Sequence, residues 1–210
     1  MIFQDNALVV GLTGMSGAGK TTACAVFREC GYAVVNCDET ARRVTEAGKP
    51  ALREIAAYFG GEILFADGTL DRRRLGRRVF SDAAARLALN KIIYPYISYE
   101  IVVGVINYID RGERLILLDA PTLFESGADA LCDRVVTIVA ARESCIARIT
   151  ARDRLTEREA ADRLSSQLSA EEYRLRSDHC IENNGTEAAL CERVKAAAER
   201  IKTEVTGTET

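Results

Sequence analysis

The sequence lacks the residues on which several common classes of protein depend. Its 210 residues include a single histidine, His179, so a Ser-His-Asp triad would rest on that side chain alone. No G-x-S-x-G elbow is present to support such a triad. The formal net charge is -3, without a basic excess or a basic tail. These absences argue against a triad hydrolase and against a general binder of nucleic acids or acidic membranes.

Paired cysteines and long apolar runs are also missing. The seven cysteines are odd in number and form no C-x-x-C pair, which indicates small buried side chains in a reducing cytoplasm. No stretch approaches the ~18 apolar residues that a bilayer span requires; the longest, 101–109, is interrupted by Asn107. Residues 1–6 carry no basic segment ahead of an apolar run, so we predict no secretory signal. We therefore expect a cytoplasmic protein without a membrane partner.

A glycine-rich loop near the N-terminus is the strongest motif present. Residues 14–21 satisfy G-x-x-x-x-G-K-[ST], after an apolar run at 8–13 and before a helical segment at 22–28. The glycines let successive N–H groups point into one concavity, and the helix adds the positive end of its dipole. The motif predicts nucleotide binding; the alternative is a glycine-rich turn that matches by chance. The predicted nucleotide-binding residues are Gly14, Ser16, Gly17, Ala18, Gly19, Lys20, Thr21 and Thr22.

Three side chains are predicted to act on the phosphates and on magnesium. Lys20 can reach the β- and γ-phosphates, and the Thr21 hydroxyl can bind Mg²⁺. Asp119 ends an apolar strand, which is the position of a Walker B carboxylate that holds Mg²⁺ directly or through water. The alternative is a strand-end carboxylate that accepts hydrogen bonds from nearby loop amides. ATP and Mg²⁺ are the expected co-substrate and metal.

Strands that alternate with helices predict an α/β fold. Runs near 8–13, 33–36, 115–119, 134–140 and 179–182 predict a five-stranded parallel sheet flanked by helices, the core of a P-loop kinase. We expect a single domain over residues 1–210. A helical block at about 51–109, with a strong break at Pro95, is predicted as the insertion that binds the acceptor substrate. An arginine-rich segment at about 142–167, composed of two helices, is predicted as a lid.

A carboxylate and several arginines complete the predicted site. Asp38 follows the second strand, where it can accept the proton of an attacking hydroxyl; its alternative role is as the N-cap of the next helix. Arg148 and Arg152 share a helix face from which they can close over a triphosphate, or else pair with nearby carboxylates in solvent. Arg42 and Arg72 can bind an anionic acceptor or serve as surface charge.

Together these motifs resemble those of the dephospho-coenzyme A kinases, over nearly the whole chain and in order. The resemblance implies ATP-dependent phosphorylation of the ribose 3′-hydroxyl of dephospho-CoA, giving coenzyme A and ADP in the last step of coenzyme A biosynthesis. It also implies Asp38 as the base and Arg148 as the lid arginine. The most selective matching segments are Asp67-Gly68-Thr69-Leu70-Asp71-Arg72 and Asn90 with Pro95; Ala120-Pro121-Thr122-Leu123-Phe124-Glu125, Arg163 with Gln167, and Ile181-Glu182-Asn183-Asn184-Gly185 also match.

The chain departs from the family pattern at a few positions. The family usually has Asp where this chain has Asn36, His where it has Tyr94, and a lid Gln where it has Cys145. It often has Leu-Leu where this chain has Thr122-Leu123. Two alternatives therefore stay open: a P-loop kinase of another nucleoside or nucleotide, and a non-catalytic nucleotide-dependent switch. The expected partners are ATP and dephospho-CoA without nucleic acid, and the expected state is a monomer or a weak homo-oligomer.

Overall fold

A five-stranded parallel β-sheet forms the centre of the computed structural model. The structure describes residues 7–206, except the side chains at 80, 81, 205 and 206. Residues 1–6, where we predict no secretory signal, lie outside this range. The strands are β1 (Leu8–Gly14), β2 (Ala33–Asn36), β3 (Leu115–Asp119), β4 (Arg134–Val139) and β5 (His179–Glu182). Their order across the sheet is β2-β3-β1-β4-β5. The predicted α/β fold with five parallel strands is confirmed.

The central strand of this sheet positions the glycine-rich loop. All seven residues of β1 are buried, which fits a sequence that is apolar except for Thr13. β1 pairs with β3 in a register that places Leu12 opposite Asp119, and with β4 in a register that places Gly14 opposite Ile138. The loop therefore leaves the sheet between the carboxyl ends of β3 and β4, where ligands bind in folds of this kind.

The helices connect and cover the strands. They are α1 (Lys20–Glu29), α2 (Cys37–Arg43), α3 (Pro50–Phe59), α4 (Arg72–Ser81), α5 (Ala83–Asp110), α6 (Leu123–Ser126), α7 (Arg142–Asp153), α8 (Glu157–Ser165), α9 (Ala170–Arg176) and α10 (Glu187–Thr206), with 3₁₀ turns at Gly61–Ile63 and Ala128–Leu131. Helix α8 begins with a capping box, in which Thr156 and Glu159 bond reciprocally. Helix α9 is a further element, with its own capping box from Ser169 to Glu172.

Two sequence-based expectations about α5 are wrong. The helix does not break at Pro95 but continues through it over 28 residues, although an interior proline removes one helical hydrogen bond and clashes with the preceding turn. As a result, among the described residues one helix, α5, is long and apolar enough to cross a membrane. The sequence-based expectation took residues 101–109 as the longest apolar run, which is shorter than a bilayer span requires. A single helix of this kind is weak support for a membrane span.

The chain divides into two compact units. One comprises Met1–Val35 and Tyr108–Thr210, and the other comprises Asn36–Asn107. In the first unit, α1 buries Phe27 against Tyr32 with an edge-on ring contact of 5.0 Å between centroids, and Tyr32 donates to the carbonyl of Ala198 on α10. The second unit has a core of its own, formed by Ile55, Phe59, Ile63, Leu75 and Ala85 with the partly buried side chains around them.

Candidate active site

Two glycines allow the loop after β1 to take its shape. Gly14 has a φ of 147°, and a Cβ there would overlap the carbonyl oxygen of Ile138. Gly19 has a φ of 107° and forms the N-cap of α1, where a Cβ would lie 2.6 Å from Asn183 Nδ2. Within the described residues no side chain caps this helix end. Its first backbone N–H groups are therefore available to an anion, as in a phosphate-binding loop.

The N–H groups of the loop are partly engaged. Met15 donates to the carbonyl of Ile138 over 3.2 Å, and Ala18 donates to the carbonyl of Met15 over 3.1 Å, which closes the turn. The N–H of Ser16 donates to Gln167 Oε1 over 2.9 Å. A neutral amide oxygen thus occupies one of the donors that a phosphate oxygen would use.

The carbonyl groups of the loop are held from the other side. Arg148 on α7 donates through Nη1 to the carbonyl of Gly17 over 3.2 Å and through Nη2 to the carbonyl of Asn183 over 3.3 Å. Asn183, just after β5, donates through Nδ2 to the carbonyl of Ala18 over 2.8 Å. The structure thus places the predicted lid residue Arg148 against the loop itself.

Lys20 and Asp119 form an ion pair at the end of the loop. Lys20 Nζ donates to Asp119 Oδ1, and both side chains are largely buried. Cys24 lies one turn along α1; burial and the charge of the Asp119 carboxylate raise the pKa of its thiol to about 11. Asp119 therefore accepts from the Lys20 side chain, and the alternative role as an acceptor for loop amides is not what the structure shows.

The predicted magnesium ligands are Thr21, on the exposed first turn of α1, and Asp119. Among the described residues no group of three or more His, Cys, Asp or Glu side chains could hold a metal alone. This donor set still fits Mg²⁺, because that ion is usually held by one or two carboxylates together with waters and substrate phosphates. The Asp119 carboxylate would have to exchange Lys20 for the ion.

Asp38 lies in the second unit, on the first turn of α2. Its carboxylate is exposed and does not cap the helix, because Asn36 is the N-cap and accepts from the N–H of Glu39 over 3.0 Å. The alternative reading of Asp38 as an N-cap is therefore wrong. The role of Asp38 as the base stays a prediction.

The structure brings together the two arginines predicted to bind the acceptor. Arg72, at the start of α4, donates through Nη2 to Thr45 Oγ1 over 2.7 Å and to the carbonyl of Arg42 over 3.2 Å. Both arginines are exposed. Other arginines of the basic run are structural: Arg74 donates to the carbonyl of Glu62, and Arg78 to that of Phe59.

The Arg152 side chain bonds to a neighbouring carboxylate, whereas that of Arg148 bonds to the loop. The Arg152 guanidinium makes two bonds to the Asp153 carboxylate, at 2.7 and 2.8 Å, and Arg163 donates to the same carboxylate. These arginines hold the pKa of Asp153 below its ordinary value. For Arg152 the structure thus shows the alternative of a charge paired in solvent.

Comparison with known proteins agrees with this geometry. Residues 8–189 match the family model of CoaE, dephospho-CoA kinase. The chain belongs to the dephospho-CoA kinase family. A dephospho-CoA kinase from Bacillus licheniformis is 39% identical over 187 residues, which cover 87% of this chain and 93% of the relative.

Solved structures extend the comparison with the family. A crystal structure from Thermus thermophilus superposes with a TM-score of 0.79 at 30% identity, covering 93% of this chain and 98% of the other. Dephospho-CoA kinase from Campylobacter jejuni superposes with a TM-score of 0.68 at 25% identity, covering 95% and 98%. The predicted relationship to dephospho-CoA kinases is confirmed.

The structure gives two departures from the dephospho-CoA kinase pattern a local role. Asn36 caps α2 through its side-chain oxygen, an atom that the usual aspartate also supplies. Cys145 is fully buried on α7 under the loop, where a Cβ on Gly17 would lie 2.7 Å from its carbonyl oxygen. Burial raises the pKa of the Cys145 thiol, so this side chain is an uncharged packing group.

Sequence reasoning missed three residues that contact this site. Gln167 and Asn183 each bond to a residue predicted to bind nucleotide, and the pKa of the buried Cys24 thiol responds to the charge of Asp119. Both Gln167 and Asn183 lie in segments that match the family pattern, which indicates a functional role. Such matches do not predict which atoms form hydrogen bonds. Cys24 carried no signal beyond its position on the helix after the loop.

Proposed function

We propose that this protein transfers the γ-phosphoryl group of ATP to the ribose 3′-hydroxyl of dephospho-CoA, giving coenzyme A and ADP. The observation that carries the proposal is a complete phosphate-binding loop, with Lys20 and Asp119 paired at its end, in a chain of the dephospho-CoA kinase family. The phosphate-binding loop supports the donor, and the family supports the acceptor. The reaction would belong to coenzyme A biosynthesis.

The donor half of the site consists of the loop and the start of α1. Gly14, Ser16–Gly19 and the first turn from Lys20 to Thr22 would surround the phosphates with N–H groups. Lys20 would leave Asp119 for the β- and γ-phosphates, and Thr21 with Asp119 would hold Mg²⁺. When bound, the ion supplies neutralisation of charge on the phosphate oxygens.

The acceptor half is proposed to lie in the helical part of the chain. Asp38 would accept the proton of the 3′-hydroxyl as that oxygen attacks the γ-phosphorus, and ADP would leave with the β-phosphate oxygen. The exposure of its carboxylate, which caps no helix, supports this role. Arg42 and Arg72 would bind the anionic groups of the acceptor, because guanidinium groups fit phosphate oxygens. We propose the helical block at about 51–109 as the acceptor-binding insertion.

Arg148 is proposed to stabilise the transferring group from the segment at about 142–167. Its two bonds to backbone carbonyls leave donor N–H groups on the same guanidinium. We further propose that the enzyme works in the cytoplasm, as a monomer or a weak homo-oligomer, and without a nucleic-acid partner. The net charge of -3 supports the last point.

An acceptor panel tests this function. Purified protein with ATP and Mg²⁺ would be given dephospho-CoA, nucleosides or nucleoside monophosphates, and ADP release would be followed in a coupled assay. Of these acceptors, we expect only dephospho-CoA to give rapid ADP formation. Preference for another acceptor would make the protein a different small-molecule kinase. ATP binding without phosphorylation of any acceptor would support the non-catalytic switch.

A further inference from the structure

The phosphate-binding loop needs support for its carbonyl groups as well as for its N–H groups. Successive N–H groups converge on an anion only when the carbonyls between them point away from it. Those carbonyls then require donors elsewhere, because a buried carbonyl without a partner is costly. In this chain Arg148 supplies the donor to Gly17, and Asn183 supplies the donor to Ala18 over 2.8 Å.

Asn183 is buried, and hydrogen bonds of its backbone hold it in this position. It is 6% exposed, and its own N–H donates to the carbonyl of Val139 over 2.8 Å, which continues the pairing of β5 with β4. Its carbonyl accepts from Arg148, and Gly19 has no Cβ where Asn183 Nδ2 approaches. Because the carbonyl of Ala18 can only accept, the amide group must present its NH₂ side to the loop.

We propose that Asn183 is a positioning residue for phosphoryl transfer. Its Nδ2–H holds the carbonyl of Ala18 outward, and this keeps the loop N–H groups directed at the nucleotide phosphates before ATP arrives. The inference rests on the proposed function only in taking those phosphates to be those of ATP. Asn183 itself touches neither the substrate nor the reacting atoms.

A purely space-filling role makes a different prediction, and Asn183→Asp separates the two. Aspartate has nearly the same shape, but an ionised carboxylate cannot donate to the carbonyl of Ala18. If Asn183 only fills space, Asn183→Asp should bind ATP as tightly as wild type, and only the truncated Asn183→Ala should bind it more weakly. If Asn183 acts as a donor, both variants should bind ATP more weakly than wild type.

The test measures ATP dissociation constants by calorimetry without acceptor, and then both KM values. We expect Asn183→Asp and Asn183→Ala each to raise the ATP dissociation constant and the ATP KM about tenfold, the effect of one unsatisfied buried acceptor. The KM for dephospho-CoA should stay within about twofold. Asn184→Ala is the matched control, since the Asn184 side chain accepts from the N–H of Ala141 and not from the loop; its ATP binding should stay within about twofold of wild type.

Two results would overturn the proposed role of Asn183. A folded Asn183→Asp variant with wild-type ATP affinity overturns the proposal. So does a fall in kcat with both KM values unchanged, because that result reports lost active protein. If thermal melting shows that Asn183→Asp does not fold, Asn183→Ala decides by the same measurement. ATP binding without acceptor does not depend on dephospho-CoA as substrate, so the inference and the proposed function can fail independently.

Discussion

Gln167 is the residue whose removal should strengthen nucleotide binding. Its Oε1 atom accepts from the N–H of Ser16 over 2.9 Å, at a donor that the bound phosphates would need. ATP must therefore displace the Gln167 side chain before it uses this N–H group. The change that tests this competition is Gln167→Ala, which removes the acceptor and leaves the loop intact.

The size of the effect follows from the hydrogen bond that ATP has to break. A neutral hydrogen bond of this kind contributes about 1 kcal/mol net, and a bond to a charged group contributes about 1.5–3 kcal/mol. The Ser16 N–H therefore prefers the phosphate oxygen, but the need to break its bond to Gln167 weakens ATP binding to the wild-type protein. Removing that bond should lower the ATP dissociation constant about fivefold, the equivalent of about 1 kcal/mol.

Isothermal calorimetry with ATP on wild type, Gln167→Ala and Gln167→Glu provides the measurement. The glutamate variant adds a charged acceptor for Ser16 beside the phosphates, so its ATP dissociation constant should rise. Ser166→Ala is a matched control, because the Ser166 hydroxyl donates to the carbonyl of Arg163, one turn back, over 2.8 Å. A weaker-binding Gln167→Ala variant would refute the reasoning, since it would mean that Gln167 contacts bound ATP.

Three further predictions concern the proposed base, the arginines and the buried thiol. Asp38→Asn should lose about 10²–10⁴-fold in kcat and keep its ATP dissociation constant; an active variant would remove Asp38 from the role of base. Arg148→Ala should lower kcat, because the transferring group loses a guanidinium, and should raise the ATP KM about tenfold through the lost support of the loop; Arg152→Ala, whose guanidinium is bonded to Asp153, should change either constant less than about twofold. Because the folded-state pKa of Cys24 is about 11, the unfolded chain loses this proton first as pH rises. Stability should then fall from roughly pH 9 to 11, by about 2 kcal/mol more than in Cys24→Ala, as urea unfolding at several pH values would show.

The parts of the fold that could be predicted are those set by local patterns. The glycines and Lys20 of the loop lie within one short segment, 14–20, and the largely apolar runs of β1, β3 and β4 indicate strands covered on both faces. The cap of α2 also had a local signal, because Asn36 is followed by Glu39 three residues later. Asp38 was considered for that cap because the helix was expected to begin two residues later than it does.

The rest depends on contacts between residues far apart in the sequence. The strand order β2-β3-β1-β4-β5 follows from crossovers whose direction no single strand encodes. The bond from Ser16 to Gln167 joins residues 151 positions apart, and the bond from Asn183 to Ala18 spans 165 positions. Local patterns cannot predict such bonds. The local signal of Pro95 predicts a break that α5 does not show.

The position of the new phosphate tests the central claim most directly. Wild-type protein, ATP, Mg²⁺ and dephospho-CoA would be incubated, and the product examined by ³¹P NMR and by mass spectrometry. We predict one new phosphomonoester on the ribose 3′-oxygen for each ADP formed, which identifies the product as coenzyme A. ADP formed without a phosphorylated acceptor, or a phosphate on another oxygen, would contradict the account.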